Sequence, residues 1–161
     1  MATRTREATR LGARSPAVVP AFVTGMGLGA FIDGIILHQV LQWHHLVSAY
    51  TPDDDLAGLE RNTFWDGVFH VAAWWLVLGG LLWLWRRRAA TPGLPLGGLV
   101  GTMLIGWGVF NVVDQLVFHM ALGAHHIRMV ENYQVYDWSF TALGVALAAL
   151  GWLLLHRTQP R

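Results

Sequence analysis

FIDGIILHQVLQWHH, residues 31–45, begins as an apolar helix suited to lipid, but Asp33 and His38 interrupt it and Gln42, His44 and His45 end it. Carboxylates and imidazoles are costly inside a bilayer and are kept there when they pair or carry function. Whether the stretch belongs in a membrane depends on the rest of the chain. Of its 161 residues, 54% are hydrophobic and only 13% charged, too apolar for an ordinary soluble domain. Four stretches match the roughly 20 helical residues that a hydrocarbon core requires. They run from Ala17 to Val40, Phe69 to Trp85, Leu94 to Leu122 and Ser139 to Leu155, and no proline breaks them beyond the first turn. The expected fold is an all-α, four-helix transmembrane bundle over 17–161, preceded by an arginine-rich tail at 1–16.

All eleven basic residues are arginines. Arg4, Arg6, Arg10 and Arg14 precede the first span, Arg86 to Arg88 follow the second, and Arg157 and Arg161 follow the fourth. Only Arg61 and Arg128 fall in the other two loops. The positive-inside rule then places both termini in the cytoplasm and the loops 44–66 and 123–137 outside. Trp43, Trp65 and Trp138 mark the outer interface, and Trp83, Trp85 and Trp152 the inner one. The first apolar run is too long for a signal peptide and has no small-residue cleavage site, so it reads as a retained anchor. A net charge of +1 gives no nucleic-acid signal, and without cysteine there are neither disulfides nor thiolate ligands.

The opening stretch has an echo. GMGLGAFIDGIILHQVLQWHH at 25–45 aligns without gaps on GWGVFNVVDQLVFHMALGAHH at 106–126. Asp33 falls on Asp114, His38 on His119, and His44-His45 on His125-His126, all at an offset of 81. FWDGVFH at 64–70 resembles VYDWSFT at 135–141 more faintly, with Thr141 in place of His70. Shared Leu and Gly would mean little among apolar helices. One Asp and three His at a single offset mean more, and point to two tandem helix-pair repeats, 17–88 and 94–157, around an axis along the membrane normal.

A helical rise of 1.5 Å per residue turns spacing into depth. With Trp43 at the boundary, His38 lies about 7–8 Å inward and Asp33 about 15 Å. His119 and Asp114 take matching depths, and His70 enters the same layer from the second span. An outer rim holds His44, His45, His125, His126, Asp66 and Asp137. At about 100° per residue His38, Gln42 and His45 share a face, while Asp33 lies about 140° from His38. From a straight helix those two do not reach one small target; contacts to neighbouring helices, or a bend near Gly34, are the alternatives.

Imidazoles and carboxylates converging in a low-dielectric bundle form a ligand set for a transition metal: Zn, Fe, Cu or Mn. His38, His70 and His119 head the candidate ligands, joined by His45, His126, His44, His125 and Asp66. Asp33, Asp114, Asp137 and Gln42 are candidates for proton relay or for orienting the ligands. Hydrogen bonding alone is the competing explanation for the Asp pair and for the histidine cluster. Haem held by His38 and His119 is a weaker alternative, since it leaves the HH pairs and the aspartates unexplained. PDDD at 52–55 reads as a solvated turn, not an EF-hand. No nucleotide loop, nucleophile elbow or HExxH is present.

DGIILHQVLQWHH, FWDGVFH and NVVDQLVFHMALGAHHIR together resemble a family of small bacterial membrane proteins known as a domain of unknown function. The resemblance covers nearly the whole chain beyond the tail. It implies a four-helix inner-membrane protein with these polar residues as hallmarks, and it carries no activity. Gln115 departs from the glycine expected after the second Asp. The expected function is metal binding at a His/Asp site near the external face, with catalysis open. A metal-handling or delivery protein and a haem-bearing electron carrier are the alternatives. The expected partner is the lipid bilayer, with homo-oligomerisation open and neither nucleic acid nor a soluble partner indicated.

Overall fold

The computed structural model describes residues 15–88 and 94–157. Most of the arginine-rich tail, with Arg4, Arg6, Arg10 and Arg14, lies outside the described residues, as does Arg161. Four helices are long and apolar enough to cross a membrane: α1 (Val18–Val40), α2 (Leu56–Arg87), α3 (Leu96–Ala121) and α4 (Tyr133–Arg157). No strand occurs among the described residues. The expected spans are recovered, but α2 and α4 begin earlier than hydropathy suggested.

The reason for the early start of α2 is local. Asp55, the last residue of PDDD, adopts an extended backbone and accepts a hydrogen bond from the Gly58 amide at 2.6 Å, an N-cap for the helix that follows. The polar turns LERNTFWD are therefore helical even though they are not apolar. At 32 residues α2 is about 48 Å long, well beyond the roughly 30 Å of a hydrocarbon core. Arg86 and Arg87 sit in its last turn, where cations complement the helix dipole.

Helices α1 and α3 form a central pair; α2 packs on α1 and α4 on α3, and α2 and α4 do not meet. The central crossing needs bare backbone. A Cβ on Gly25 would stand 2.0 Å from the Met103 carbonyl oxygen, and one on Gly106 would stand 2.1 Å from that of Phe22. These contacts are reciprocal at the offset of 81. Small residues repeat the device outward: Gly27 meets Ala73 and Val77, and Gly108 meets Gly144 and Ala148. Large apolar side chains such as Trp74, Trp75, Leu82 and Trp152 lie exposed on the outer faces, where lipid rather than water is the natural neighbour.

Neither central helix stays α-helical to its end. From Gly34 to Val40 and from Gln115 to Ala121 the turns widen to π geometry. Leu41 N–H donates to the Ile36 carbonyl and Leu122 N–H to that of Val117, each at 2.8 Å and five residues back. Both helices then stop at a left-handed residue, Gln42 (φ 49°) and Gly123 (φ 57°). The loops beyond are tied together by Ala49 N–H donating to the Ala124 carbonyl at 3.0 Å, and by the Tyr50 hydroxyl donating to the Leu122 carbonyl.

Candidate metal centre

The widened turns decide which side chains converge. A turn closed over five residues brings positions i and i+5 together, and Asp33 and His38 are such a pair. Asp33 Oδ2 lies 3.4 Å from His38 Nε2, and Asp114 Oδ2 lies 3.1 Å from His119 Nε2. The expectation from 100° per residue fails here because the helix is not α-helical between them. The bend near Gly34 that was the alternative takes the form of this π-turn.

Each of these histidines is held from behind. His38 Nδ1–H donates to Asp66 Oδ1 at 2.8 Å, and His119 Nδ1–H to Asp137 Oδ1 at 3.1 Å. Phe69 stacks on the His38 ring and Phe140 on that of His119, at interplanar angles of 11°. The two carboxylates are anchored in turn. Asp66 accepts from the Leu46 amide at 2.9 Å, from His45 Nδ1 at 2.7 Å and from Gln39 at 3.3 Å. Asp137 accepts from the Ile127 amide at 2.9 Å and from His126 Nδ1 at 2.8 Å.

His44 and His125 cross between the halves. His44 Nδ1–H donates to the Ile127 carbonyl at 2.9 Å, and His125 Nδ1–H to the Leu46 carbonyl at 3.0 Å. A carbonyl only accepts, so Nδ1 must carry the proton, and in the neutral ring the lone pair falls on Nε2. Burial, reinforced by the facing His125, holds the His44 pKa well below the usual imidazole range. Burial, reinforced by His119 and His38 against the opposing pull of Asp114, lowers His125 to about 4. Both rings are therefore neutral near pH 7. They stack in parallel with centroids 4.5 Å apart.

Two triads result: Asp33, His38 and His44, and Asp114, His119 and His125. Within each, the donor atoms all lie within 4.8 Å of one another. None of the six residues is more than 5% exposed. Nε2 of all four histidines, Asp33 Oδ1 and Asp114 Oδ2 are buried without a hydrogen-bond partner. Polar atoms so placed are costly unless something else meets them.

The other sequence candidates stand around this core. His45 and His126 bind the outer sides of Asp66 and Asp137, and His126 also stacks on Tyr133. His126, His119 and Asp137 form a further group of converging donors. His70 is set apart: its Nδ1–H donates to the Asp66 carbonyl at 2.7 Å and its ring packs on Gly34. Gln42 is exposed on the left-handed turn, away from the triads. The backbone carbonyls of Leu46 and Ile127 had no sequence signal, because only the crossed loops bring them to the histidines.

A family model described as "Predicted membrane protein (DUF2243)" matches residues 20–158, and the chain belongs to that family. No curated protein matches the chain, and no solved structure does.

Proposed function

We propose that this member of the predicted membrane protein family is an integral membrane metalloprotein whose centre takes two transition-metal ions, one in each triad. Asp33, His38 and His44 hold one ion, and Asp114, His119 and His125 the other. Asp66 and Asp137, with His45 and His126 behind them, orient the ligands. One observation carries the reading: four buried imidazoles turn unpartnered Nε2 atoms toward two carboxylates while every Nδ1 is committed elsewhere. Without an ion, Nε2 of His44 and of His125 would be left desolvated and unpaired, at about 1–3 kcal/mol each, and Nε2 of His38 and of His119 would have only the carboxylates of Asp33 and Asp114 beside them, at 3.4 and 3.1 Å.

Imidazole and carboxylate donors without thiolate suit Zn, Fe or Mn, and Cu less well. Three protein donors per ion leave coordination positions for water or substrate, as in catalytic rather than closed structural sites. A metal-dependent enzyme is thus favoured over a storage or delivery protein. Haem fits poorly: His44 and His125 lie between His38 and His119, with successive ring centroids 4.4, 4.5 and 4.6 Å apart, leaving no gap for a macrocycle. The centre lies at the end of the bundle opposite Arg86, Arg87 and Arg157. The positive-inside rule turns that end outward, on the external side of a bacterial inner membrane.

Elemental analysis of the protein purified in detergent tests the reading. Stoichiometric Zn, Fe, Mn or Cu without a Soret band is expected. Protein that stays metal-free after incubation with each of these ions would refute it.

A further inference from the structure

Beneath the triads lies a cavity of about 190 Å³ between α1, α3 and α4. Its walls are apolar: Ile32, Ile36, Leu37, Trp107, Phe140 and Leu143. Ile32, Ile36 and Leu143 are also exposed on the lipid-facing surface, so the cavity borders the bilayer. Two of its lining residues are polar, Asp33 and Asn111. Asn111 is 1% exposed, and neither its Nδ2 nor its Oδ1 has a hydrogen-bond partner; Asp33 Oδ1 has none either. Asp33 also faces His38 through its other oxygen, so this polar end adjoins the metal triad.

The opposite half shows that these features are not a by-product of the repeat. At the offset of 81, Asn111 answers to Ala30, Gly29 to Phe110 and Leu37 to Phe118. Phe110 and Ala30 are buried in the core cluster with Ala73, filling the corresponding space with hydrocarbon. A buried asparagine with both polar atoms unpaired is expensive inside a membrane helix. It is matched by a ligand that accepts from its NH₂ and donates to its carbonyl oxygen.

We propose that this cavity binds a neutral, lipid-soluble alcohol, drawn from the bilayer and seated with its hydroxyl on Asn111 and Asp33 beside the metal centre. A hydroxyl accepts from the Asn111 NH₂ and has one proton to give, which the two unpaired acceptors, Asn111 Oδ1 and Asp33 Oδ1, share. A cavity of this size admits a six-membered ring or a chain segment of similar bulk, since about 150 Å³ suffices for benzene. An anionic head group is excluded by the Asp33 carboxylate. The assignment names the substrate class of the proposed metalloenzyme and rests on that reading for its chemistry, but not for its binding.

Photolabelling in lipid vesicles with a diazirine-bearing octanol, mapped by mass spectrometry, tests it on protein whose metal content has been measured. Saturable labelling of Ile32, Ile36, Trp107, Phe140 or Leu143 is expected, competed by decanol but not by decane. Asn111→Ala, which installs the residue of the other half, should weaken competition by decanol about tenfold while the metal content stays at the wild-type value. Leu37→Phe should abolish labelling by filling the cavity. Labelling that does not saturate, that decane competes equally well, or that both variants leave unchanged overturns the proposal. A metal-free protein that still shows the expected labelling refutes the metal reading and leaves the alcohol site standing.

Discussion

The two halves of the centre share a ligand frame and differ in what surrounds it. Around His38 the frame is covered on its α2 side. Gln39 donates to Asp66, and the His70 ring packs over Gly34. Around His119 the equivalent positions hold Met120, Thr141 and Gln115. There a cavity of about 310 Å³ is lined by Gln115, His119, Met120, His126 and Asp137 among others. Buried Gln115 keeps an unpartnered Oε1, whereas Gly34 offers no side chain at all. The lipid-side cavity also borders α4, through Phe140 and Leu143. The buried His and Asp donors are thus duplicated, while both of these cavities border α4. On the proposed reading, ion binding follows the symmetry and admission of other molecules departs from it.

Substitutions that strike both halves alike should show the largest effects. Gly25→Val and Gly106→Val each force a side chain into a backbone carbonyl at the central crossing, costing about 3 kcal/mol or more. Both should yield aggregated or polydisperse protein on size exclusion. A well-folded variant of either would mean that the α1/α3 crossing differs from the one described.

Asp66→Ala and Asp137→Ala leave the ligands in place and remove their orienting carboxylates. Each should weaken metal binding 10- to 100-fold in its own half and far less in the other, which it reaches only through the Leu46 or Ile127 backbone that also holds His125 or His44. Chelator titration would then show two phases, one near the wild-type affinity. A uniform loss of both ions from either variant would show that the halves do not bind independently.

Acid should act through the crossed pair. His125 titrates near 4 in the fold and near the ordinary 6.5 when unfolded, and His44 is lowered in the same direction. Between those values these two rings bind more protons in the unfolded chain, so their contribution to the stability of metal-free protein falls as pH drops from about 6.5 to 4, then levels off. Thermal melts in detergent across that window check this. Melting temperatures that rise on acidification would contradict neutral, buried rings.

The smallest effect concerns the turns that end the two π segments. Gln42 and Gly123 share a left-handed backbone, and a Cβ at Gly123 would meet nothing within 4 Å, so only backbone strain separates them. Gln42→Gly should stabilise by up to about 1 kcal/mol and Gly123→Gln should cost a similar amount. Equal and opposite shifts of a few degrees in Tm are expected.

Much of this was legible in the sequence. Four spans and the paired Asp and His residues follow from hydropathy and from the offset between the two motifs, but the three depths expected of them, a rim of HH pairs, a His38 and His119 layer and a deeper Asp pair, collapse into triads that take one residue from each. What was not legible has local causes. Ideal α-helical angles separate Asp33 from His38, and only i→i+5 bonding between them reunites the pair; nothing in GIILHQV or QLVFHMA announces it. Sequence spacing makes Asp33 and Asp114 candidates for proton relay or for orienting the ligands, whereas the structure brings their carboxylates among the converging donors. His70 has the right depth, but its Nδ1 is spent on the carbonyl one turn back and its ring on Gly34. Gln42 would share the face of His38 only if the helix continued, and the helix stops there. The N-cap at Asp55 could be recognised in PDDD, but a hydropathy window passes over the polar turns it starts.

The central claim is one ion per half, and the metal-to-protein ratio tests it most directly when measured in parallel on four proteins. The account predicts two equivalents in the wild type, one in His38→Ala, one in His119→Ala and two in His156→Ala, whose imidazole lies against Trp152 near the far end of α4. A single ion lost completely from either His38→Ala or His119→Ala, or a content that none of the three variants changes, would contradict it.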